Sequence, residues 1–505
     1  MRGPSSSHCA ASLRIGRMAR DLMGAELTRV LVEYDPNGSL VTTHASQGSD
    51  MGLFGGFLGW QADDDRLPEF AAGVRDAGIL IEIRYVSYGA QHPNTYKLTL
   101  TNPAVTRTMT AISTGGGMMQ VVEIEGAPVA MDGGYHETLV FTSAEGAADL
   151  AAWIGARVAA DAITIRTGRE AFLQISGQAA LEPRLLAELE ARQDVECVRS
   201  LAPVLPVRSR RDLEVPFSTC AAMLEYAAPR QLALWELAVH YEAARGGLAP
   251  AEVIAKMTDL VRIMDGSIRR GLAGTEYADR ILGCQSVTFL ERMNDGGMVA
   301  GDALNRAILF TTAIMEVKSS MGVIVAAPTA GSCGALPGAC LGVASAIGSD
   351  EATVVRAMLA AGMIGVFVAG HATFAAEVGG CMAECGAGSG MAAAAIVTLH
   401  GGTLEQALGA ASMALQNSFG LTCDPVANRV EAPCLGRNVM AASNALACAN
   451  MALADFAHLI PLDQVIDAMD QIGRGIPHEL RCTGLGGLSI TPASKAIEAR
   501  LNGNG

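Results

Sequence analysis

The sequence predicts an α+β multidomain protein with an N-terminal α/β domain, a ferredoxin-like domain in the middle and an all-helical C-terminal domain. Three observations predict this fold class. Strand-like runs separated by turn residues occupy the first part of the chain, and a β-α-β-β-α-β pattern follows them. After residue 213, apolar residues recur almost everywhere at helical spacing. With 505 residues, the chain is long enough for about three domains of ordinary size.

The N-terminal domain is predicted to span residues 1–132. Four runs in it are rich in β-branched and apolar residues, which favours strands. These runs are residues 29–34, 79–86, 96–100 and 119–124. Ser12 begins a stretch with helical spacing, and the hydroxyls of Ser5, Ser6 and Ser7 precede it. These hydroxyls suit a helix cap or an anion site, and the residues alone leave both interpretations open.

The middle domain is predicted to span residues 133–207. Its elements follow the order β-α-β-β-α-β, which is the order of a ferredoxin-like fold. They are strands at 138–142, 162–166, 172–176 and 195–201, with helices at 144–157 and 182–192. The next stretch, residues 208–213, is charged and poor in apolar residues, which indicates a linker.

The C-terminal domain, residues 208–505, is predicted to be helical. Its helices are expected at residues 230–244, 250–266, 302–321, 350–365 and 438–456. Another helix is expected to begin at Thr403, because Thr403-Leu-Glu-Gln406 has the pattern of a capping box. The apolar run 357–370 is too short to span a membrane and therefore indicates a buried core helix.

The composition argues against several classes of partner. The formal net charge of −15 disfavours binding to nucleic acid or to an anionic membrane. Aromatic residues make up 5% of the chain, which is few for a surface that stacks bases. The first residues have no apolar core of a signal peptide, so the twelve cysteines indicate reduced thiols rather than a disulfide framework. We therefore expect a cytoplasmic protein with no nucleic-acid partner and no membrane partner.

Three widely spaced cysteines form the candidate metal site. Cys381, Cys423 and Cys434 each lie within two residues of a Gly or Pro, where the backbone bends and a thiolate can point into a cleft. An iron–sulfur cluster normally takes four cysteines, so three would leave one iron open for Lewis-acid chemistry. The spacing alone favours ordinary buried cysteines, because it is not a compact Cys-x-x-Cys pattern.

A second candidate site is the break Ala327-Pro-Thr-Ala-Gly-Ser-Cys-Gly334. Hydroxyls and backbone N–H groups around Thr329 and Gly331 suit the binding of a carboxylate. A simple turn between two helices would explain the same residues. Both interpretations stay open from this segment alone.

Taken together, several motifs resemble one family, the iron–sulfur-dependent L-serine dehydratases (L-serine ammonia-lyases). The motifs that resemble its β-part are Gly3-Pro-Ser-Ser-Ser-His8 and His92-Pro-Asn-Thr95. Residues 137–207 resemble the ACT domain that some members contain. The motifs that resemble its α-part are Ala327-Pro-Thr-Ala-Gly331, Cys423-Asp-Pro-Val426, Pro433-Cys434, Arg437-Asn438 and Gly486-Gly-Leu488. The resemblance covers nearly the whole chain in the order β, ACT, α.

The resemblance implies a lyase that converts L-serine to pyruvate and ammonia by losing water at an open iron of a [4Fe-4S] cluster, without pyridoxal phosphate. The implied cluster ligands are Cys381, Cys423 and Cys434. The candidate catalytic bases are His8 and His44. The residues implied to hold the substrate are Ser5, Ser6, Ser7, His92, Asn94, Thr329, Gly331, Arg437 and Asn438. We also expect a homo-oligomer, a dimer, and an amino-acid or ion effector at the ACT-like domain.

The chain departs from the family pattern at two positions. Gln47 stands where many members have a histidine, and Lys318 stands where an asparagine is expected. Glutamine is no general base at neutral pH, so the identity of the base or of the substrate stays open. The tail 486–494 also lacks the cysteine that covers the open iron in some relatives.

These departures leave three alternatives. The first is the same chemistry on another small β-hydroxy or β-thiol amino acid. The second is a non-catalytic amino-acid sensor, because ACT domains bind amino acids. The third is a structural zinc protein, with zinc bound by Cys381, Cys385 and another thiol.

Overall fold

The computed structural model describes residues 1–503, which form two compact units. One unit is the segment Ser7–Leu213, and the other combines Met1–Ser6 with the chain from Glu214 onward. The break at residue 213 coincides with the end of the predicted linker. The predicted boundary between residues 132 and 133 lies inside Ser7–Leu213 and stays a prediction.

The unit Ser7–Leu213 contains two β-sheets. The strands are β1 (Arg29–Tyr34), β2 (Leu80–Tyr85), β3 (Thr95–Thr101), β4 (Thr106–Gly115), β5 (Met118–Ile124), β6 (Ala127–Met131), β7 (His136–Thr142), β8 (Ala162–Thr167), β9 (Ala171–Gly177) and β10 (Val195–Leu201). The first sheet has the strand order β2-β1-β3-β4-β5-β6. β1 and β2 are parallel, and every other pair of neighbouring strands is antiparallel. The second sheet is antiparallel, with the order β10-β7-β9-β8.

Short helices accompany these sheets. They are α1 (Ala11–Leu22), α2 (Leu40–Thr43), α3 (Ser49–Phe57), α4 (Phe70–Asp76), α5 (Ala147–Gly155) and α6 (Pro183–Glu190). One face of α1 buries Ile15, Met18 and Leu22 in the core. α3 lies so close to α1 that a Cβ on Gly56 would stand 2.2 Å from the carbonyl oxygen of Leu13. The absence of a side chain at Gly56 therefore permits the helices to pack.

The four strands predicted in the first part of the chain are all present, and β4 and β6 were not predicted. In β4, burial alternates along the strand, but the buried residues include Arg107, Ser113 and Gly115, so the sequence shows no matching alternation of hydropathy. β6 is short and contains Pro128, which weakens its strand signal. The second sheet and its two helices follow the predicted β-α-β-β-α-β order of a ferredoxin-like fold. The assignment of this segment as an ACT domain stays a prediction.

The other unit is predominantly helical. Its helices are α7 (Cys220–Ala227), α8 (Leu234–Gly246), α9 (Pro250–Leu272), α10 (Ser286–Asn294), α11 (Asp302–Ser319), α12 (Ala335–Ile347), α13 (Glu351–His371), α14 (Ala376–Gly379), α15 (Cys385–Leu399), α16 (Leu404–Gln416), α17 (Cys434–Leu453), α18 (Leu462–Arg474) and α19 (Pro492–Leu501). The predicted capping box is present, because Thr403 N–H donates to Gln406 and the Thr403 hydroxyl accepts from Gln406 N–H. α17 begins at Cys434, four residues before the predicted start, so this cysteine lies in a helix rather than in a loop.

The helical core is built on small residues. Every residue of α15 except Thr398 is buried, and α12, α13, α16 and α17 pack around it. A Cβ on Gly338 of α12 would stand 2.6 Å from the Cα of Thr311 in α11. The abundant Ala and Gly thus let helix backbones approach closely, and a helix that is apolar on all sides is found in the interior.

Among the described residues, one helix, α13, is apolar and long enough to cross a membrane. Residues 376–382 and α15 would add a second such segment only if the pair, which is bent by 50°, counted as one span. In α13, 67% of the apolar window is buried inside the protein. This burial confirms the prediction that residues 357–370 belong to a core helix.

Candidate functional site

Cys381 lies in a single helical turn, Gly380–Met382, just ahead of α15. Gly380 has φ +68°, and a Cβ there would stand 2.6 Å from the carbonyl oxygen of Leu421. The N–H of Met382 donates to the same oxygen at 3.2 Å. A glycine at position 380 therefore lets the Cys381 turn pack against the segment that leads into Cys423.

Cys423 lies on an extended segment that pairs with residues 480–482. Its N–H donates to Leu480 O at 2.7 Å, and the N–H of Cys482 donates to Cys423 O at 2.8 Å. The thiol of Cys423 is hydrogen-bonded to both Cys381 and Cys482, and all three side chains share one buried cluster. Cys482 was not predicted as a site residue, because it lies 48 residues beyond Cys434, outside the three-cysteine pattern.

Cys434 is the first residue of α17. Free N–H groups and the helix dipole at a helix N-terminus favour a thiolate. Burial and the charge of Cys381 act in the opposite direction and raise the pKa of Cys434 above its usual value, while Lys318 lowers it. The effect of the Cys381 charge indicates that Cys434 lies in the electrostatic environment of Cys381.

The thiols of Cys381, Cys423, Cys434 and Cys482 are called the thiol cluster below, and Arg437 is the cation beside it. Its Nη1 donates to Cys381 Sγ at 3.4 Å and to Thr422 O at 2.8 Å, and its Nη2 donates to Asp424 Oδ1 at 2.6 Å. A hydrogen bond from Cys423, together with the Arg437 charge, lowers the pKa of Cys381 to about 7 despite its burial. Cys381 therefore has substantial thiolate character at neutral pH.

Thr329 and Gly331 lie against a buried carboxyl group that sequence reasoning missed. The Thr329 hydroxyl donates to Glu384 Oε1 at 2.6 Å, and a Cβ on Gly331 would stand 2.7 Å from the same oxygen. Burial, followed by the charge of Cys381, raises the pKa of Glu384 to about 8. Glu384 lies three residues after Cys381. This position beside a predicted ligand is the feature of the sequence from which Glu384 could have been predicted as a site residue.

Asn438 joins the Thr329–Gly331 loop to the first turn of α17. Its Oδ1 accepts from Gly334 N and Ala335 N at 3.2 and 3.0 Å. Its Nδ2 donates to Gly331 O and Cys434 O, both at 2.8 Å. Asn438 is completely buried, and its contacts position the loop relative to the cysteine.

Ser5 and Ser6 belong to the helical unit, and Ser7 and His8 belong to the other unit. The hydroxyl of Ser6 accepts a hydrogen bond from Ala330 N at 3.1 Å. The structure thereby brings one of the predicted hydroxyls to the Thr329–Gly331 loop. Both Ser5 and Ser6 are buried.

The two candidate bases have different surroundings within Ser7–Leu213. His8 is fully buried, its Nε2 lies 2.9 Å from Thr43 Oγ1, and burial followed by the charge of His44 lowers its pKa to about 3. His44 has Asp50 Oδ2 at 2.8 Å from Nδ1 and the Tyr85 hydroxyl at 2.8 Å from Nε2. A carboxylate on Nδ1 orients an imidazole and directs its other nitrogen outward. The catalytic roles of both histidines stay predictions.

Gln47, His92 and Asn94, the other residues of this unit named from the sequence, lie in turns or bends of the backbone. Gln47 is buried between α2 and α3, and its N–H donates to Thr43 O at 2.8 Å. His92 Nδ1 accepts from Asn94 N at 3.2 Å in the predicted turn before β3. The side chain of Asn94 accepts from the Ser39 hydroxyl. Burial lowers the pKa of His92.

Comparison with known proteins places the helical unit in a family. The profile described as "Serine dehydratase alpha chain" matches residues 229–489, more than half of the chain. A Bacillus subtilis (strain 168) protein named "Probable L-serine dehydratase, alpha chain" is 37% identical over 57% of this chain and 96% of its own length. The "L-serine dehydratase, alpha chain" of Peptoniphilus asaccharolyticus is 37% identical over 55% of this chain and 96% of its own length.

A third relative, from Latilactobacillus sakei, is 45% identical over 40% of this chain and 97% of its own length. These alignments cover nearly the full length of each relative. They match the resemblance that the motifs in the second half of the sequence indicated. The chain therefore belongs to the serine dehydratase alpha chain family.

Proposed function

We propose that this chain converts L-serine to pyruvate and ammonia by eliminating water, using a [4Fe-4S] cluster bound by Cys381, Cys423 and Cys434. The observation that carries the proposal is the buried thiol cluster, in which Cys381 is hydrogen-bonded to Cys423 and to Arg437. The names of the three relatives support L-serine as the substrate.

The residues of the site suit a cluster better than a single ion. Within residues 1–503, no three His, Cys, Asp or Glu side chains converge closely enough to hold one metal ion. The zinc alternative with Cys381 and Cys385 thus has no converging ligand set. In a cluster each thiolate binds a different iron, so the sulfurs need not meet at one point. Buried soft thiols beside the cation of Arg437 also suit an anionic cluster.

When bound, the cluster would supply a Lewis-acidic iron that makes the β-hydroxyl a better leaving group. The protein's own groups hold the rest of the substrate. Among residues 1–503, the structure gives the N–H of Gly331 no acceptor, so this donor is available to the substrate carboxylate. Thr329 borders the same place, with its hydroxyl oriented by Glu384. His44 or His8 would remove the α-proton.

The position of Lys318 is a reason to test substrates besides L-serine. It is completely buried, and its ammonium group donates to Val430 O. Its charge lowers the pKa of Cys434 and of Glu384, so this lysine lies near the site where the family pattern has an asparagine. Together with Gln47, Lys318 motivates the alternative of another small β-hydroxy or β-thiol amino acid.

The test is an anaerobic assay of the full chain after reconstitution with iron and sulfide. We expect pyruvate and ammonia to form in equal amounts from L-serine, faster than from L-threonine, L-cysteine or D-serine. Cys434→Ser should abolish the reaction, and Cys448→Ser, outside the thiol cluster, should retain it. A reconstituted chain with bound iron and no turnover of L-serine would overturn the proposed substrate, and turnover of another amino acid would identify the alternative.

We also propose that the chain acts without pyridoxal phosphate, is cytoplasmic and forms a homodimer, and that residues 133–207 are an ACT domain. The net charge of −15 and the reduced thiols that the composition indicates support the location. The ferredoxin-like strand order supports the ACT assignment. Fractionation of the producing cells and light scattering after gel filtration test the location and the dimer.

A further inference from the structure

Strand β2 forms one edge of the first sheet. It pairs with β1 in a regular parallel register without a bulge. Leu80 and Tyr85 on this strand are 60% and 54% exposed. The opposite edge strand, β6, contains Pro128, and its register with β5 is irregular. Natural sheets protect their edges with proline and irregular register, so β2 is the less protected edge of this sheet.

The backbone of β2 presents hydrogen-bonding groups along this edge. Leu80 N donates to Thr28 O at 2.9 Å, on the side of β1. Backbone groups alternate in direction along a strand, so the N–H and C=O groups of Ile81, Ile83 and Tyr85 point away from β1. In the part of the chain that the structure describes, none of these outward groups is hydrogen-bonded to another segment. The edge can therefore accept one more strand.

We propose that β2 pairs antiparallel with β2 of a second copy of this chain, so that the first sheets of two copies join into one. This inference rests on the homodimer proposed above and names its interface. In the pairing, Ile83 lies opposite Ile83 of the second copy, and Ile81 lies opposite Tyr85 of the second copy. A two-fold axis at Ile83 relates the copies, so the contact closes after two chains.

Charge complementarity selects this register. It places Glu82 opposite Arg84 of the second copy, and Arg84 opposite Glu82 of the second copy. A slip of two residues in one direction would set Glu82 opposite Glu82, and a slip in the other direction would set Arg84 opposite Arg84. Like charges directly opposite each other destabilise strand pairing. A slip of one residue would set outward backbone groups against inward ones, so β2 is self-complementary in this register.

The pairing would also remove apolar groups from water. The exposed Leu80 would lie opposite Val86 of the second copy, and Ile81 already packs on the core of its own unit. Ile81 of the second copy would cover Tyr85, whose hydroxyl lies 2.8 Å from His44 Nε2. The interface therefore adjoins one of the two candidate bases.

The first test is sedimentation velocity of the full chain without iron, over a range of concentrations. Glu82→Arg and Arg84→Glu should each weaken the dimer at least tenfold while circular dichroism stays unchanged, because each sets like charges opposite each other. An equal mixture of the two variants should restore the dimer, because one edge then presents two cations and the other two anions. The control is Arg184→Glu, the same charge change at an exposed site on α6, which should leave the dimer unchanged.

Each outcome of this test is decisive for the interface. Dimers that both variants leave unchanged would overturn the pairing at β2 while leaving the proposed homodimer standing. A wild type that stays monomeric up to about 100 μM would overturn both. Variants that are weakened separately and stay weak in the mixture would overturn the self-pairing register.

Hydrogen exchange resolved to single residues gives a second readout. The N–H groups of Ile81, Ile83 and Tyr85 should exchange more slowly in the dimeric wild type than in Arg84→Glu, because they become hydrogen-bonded only in the dimer. The N–H of Glu82, which points toward β1, should change less. Protection of the outward groups in a monomer would show that another segment or molecule covers β2, and equal exchange in both proteins would contradict the pairing. These measurements need no cluster and no turnover, so their outcome is separate from that of the proposed reaction.

Discussion

At the scale of single residues, the environment shifts the pKa values of the site's thiols in opposite directions. Cys381 is stabilised as a thiolate by Cys423 and Arg437, whereas burial raises the pKa of Cys434 and of Cys385. Several thiolates packed together repel one another unless a metal centre neutralises them. Cys381 alone among these thiols has a lowered pKa, so binding of the proposed cluster would have to deprotonate Cys434.

Single replacement of Cys381, Cys423 or Cys434 by Ser should remove the cluster. Each thiolate is one of three anchors, and a serine hydroxyl is a harder, weaker ligand for iron. We expect bound iron to fall from about four per chain to near zero, with loss of the visible absorption. Cys220→Ser and Cys448→Ser are the matched controls. A fully loaded Cys434→Ser protein would contradict the ligand assignment.

Cys482→Ser tests whether the fourth thiol of the cluster is a ligand. If three cysteines suffice, this variant should retain about four irons per chain. Because Cys482 is hydrogen-bonded to Cys423, its loss should still change the rate at which air bleaches the cluster. Iron analysis and absorbance during aeration measure both effects. Complete loss of iron would show that four cysteines are needed.

His8 should make stability depend on pH in acid. Its pKa is lowered from 6.5 to about 3, so between these values the unfolded chain binds a proton that the folded chain does not. Stability is therefore lost as pH falls below about 6.5, by up to about 1.4 kcal/mol per pH unit. His8→Gln should remove this contribution, and the exposed His478→Gln should not. Melting temperatures at pH 7.5 and 5 measure it, and parallel curves for wild type and His8→Gln would contradict it.

At the scale of elements, the site is assembled by short turns rather than by long helices. The Cys381 turn, the Cys423 segment and the first turn of α17 each supply one thiol. Asp424 then accepts from Arg437 of α17 and from Leu488 N, at 2.6 and 2.8 Å. These contacts tie the Gly486-Gly-Leu488 motif to the cysteine site and give that motif a structural role.

Gly380→Ala should disrupt the Cys381 turn. Its positive φ and the nearby Leu421 carbonyl leave no room for a methyl group, so we expect destabilisation above about 1 kcal/mol together with reduced iron content. Gly436→Ala is the control, because a Cβ there meets nothing within 4 Å in α17. This helical substitution should be neutral or stabilising by up to about 1 kcal/mol. Urea unfolding and iron analysis compare the two, and equal behaviour would contradict the strain.

At the scale of the whole molecule, the residues proposed to act in the reaction belong to two units. The helical unit contains the thiol cluster and the Thr329–Gly331 loop, and the unit Ser7–Leu213 contains both candidate bases. A ligand stabilises the part of a protein that binds it, by an amount set by its affinity and concentration.

Cluster binding should therefore protect the helical unit selectively. We expect hydrogen exchange to slow in residues 373–390, 420–440 and 478–490 when iron and sulfide are restored. The strands of the second sheet should exchange at an unchanged rate. The Cys434→Ser chain, treated in the same way, is the control. Uniform protection of both units, or none, would contradict a cluster bound by these turns.

The sequence by itself determined the fold class, most elements and the family. Helical spacing, the capping box at Thr403 and the β-α-β-β-α-β order are local patterns, and local patterns depend on neighbouring residues. The motif around Cys423 and Cys434 indicated the family because its order along the chain is itself a sequence property. β4 escaped prediction because its buried residues other than Met109 are small or polar.

Only the tertiary structure decided which side chains meet. Cys482 reaches Cys423 through backbone pairing across 59 residues of sequence, and Glu384 reaches Thr329 across 55 residues. Strand register likewise places Glu137 opposite Ser176 in the second sheet. Such contacts arise from packing and register between distant segments, and neither is encoded in the spacing of residues along one segment.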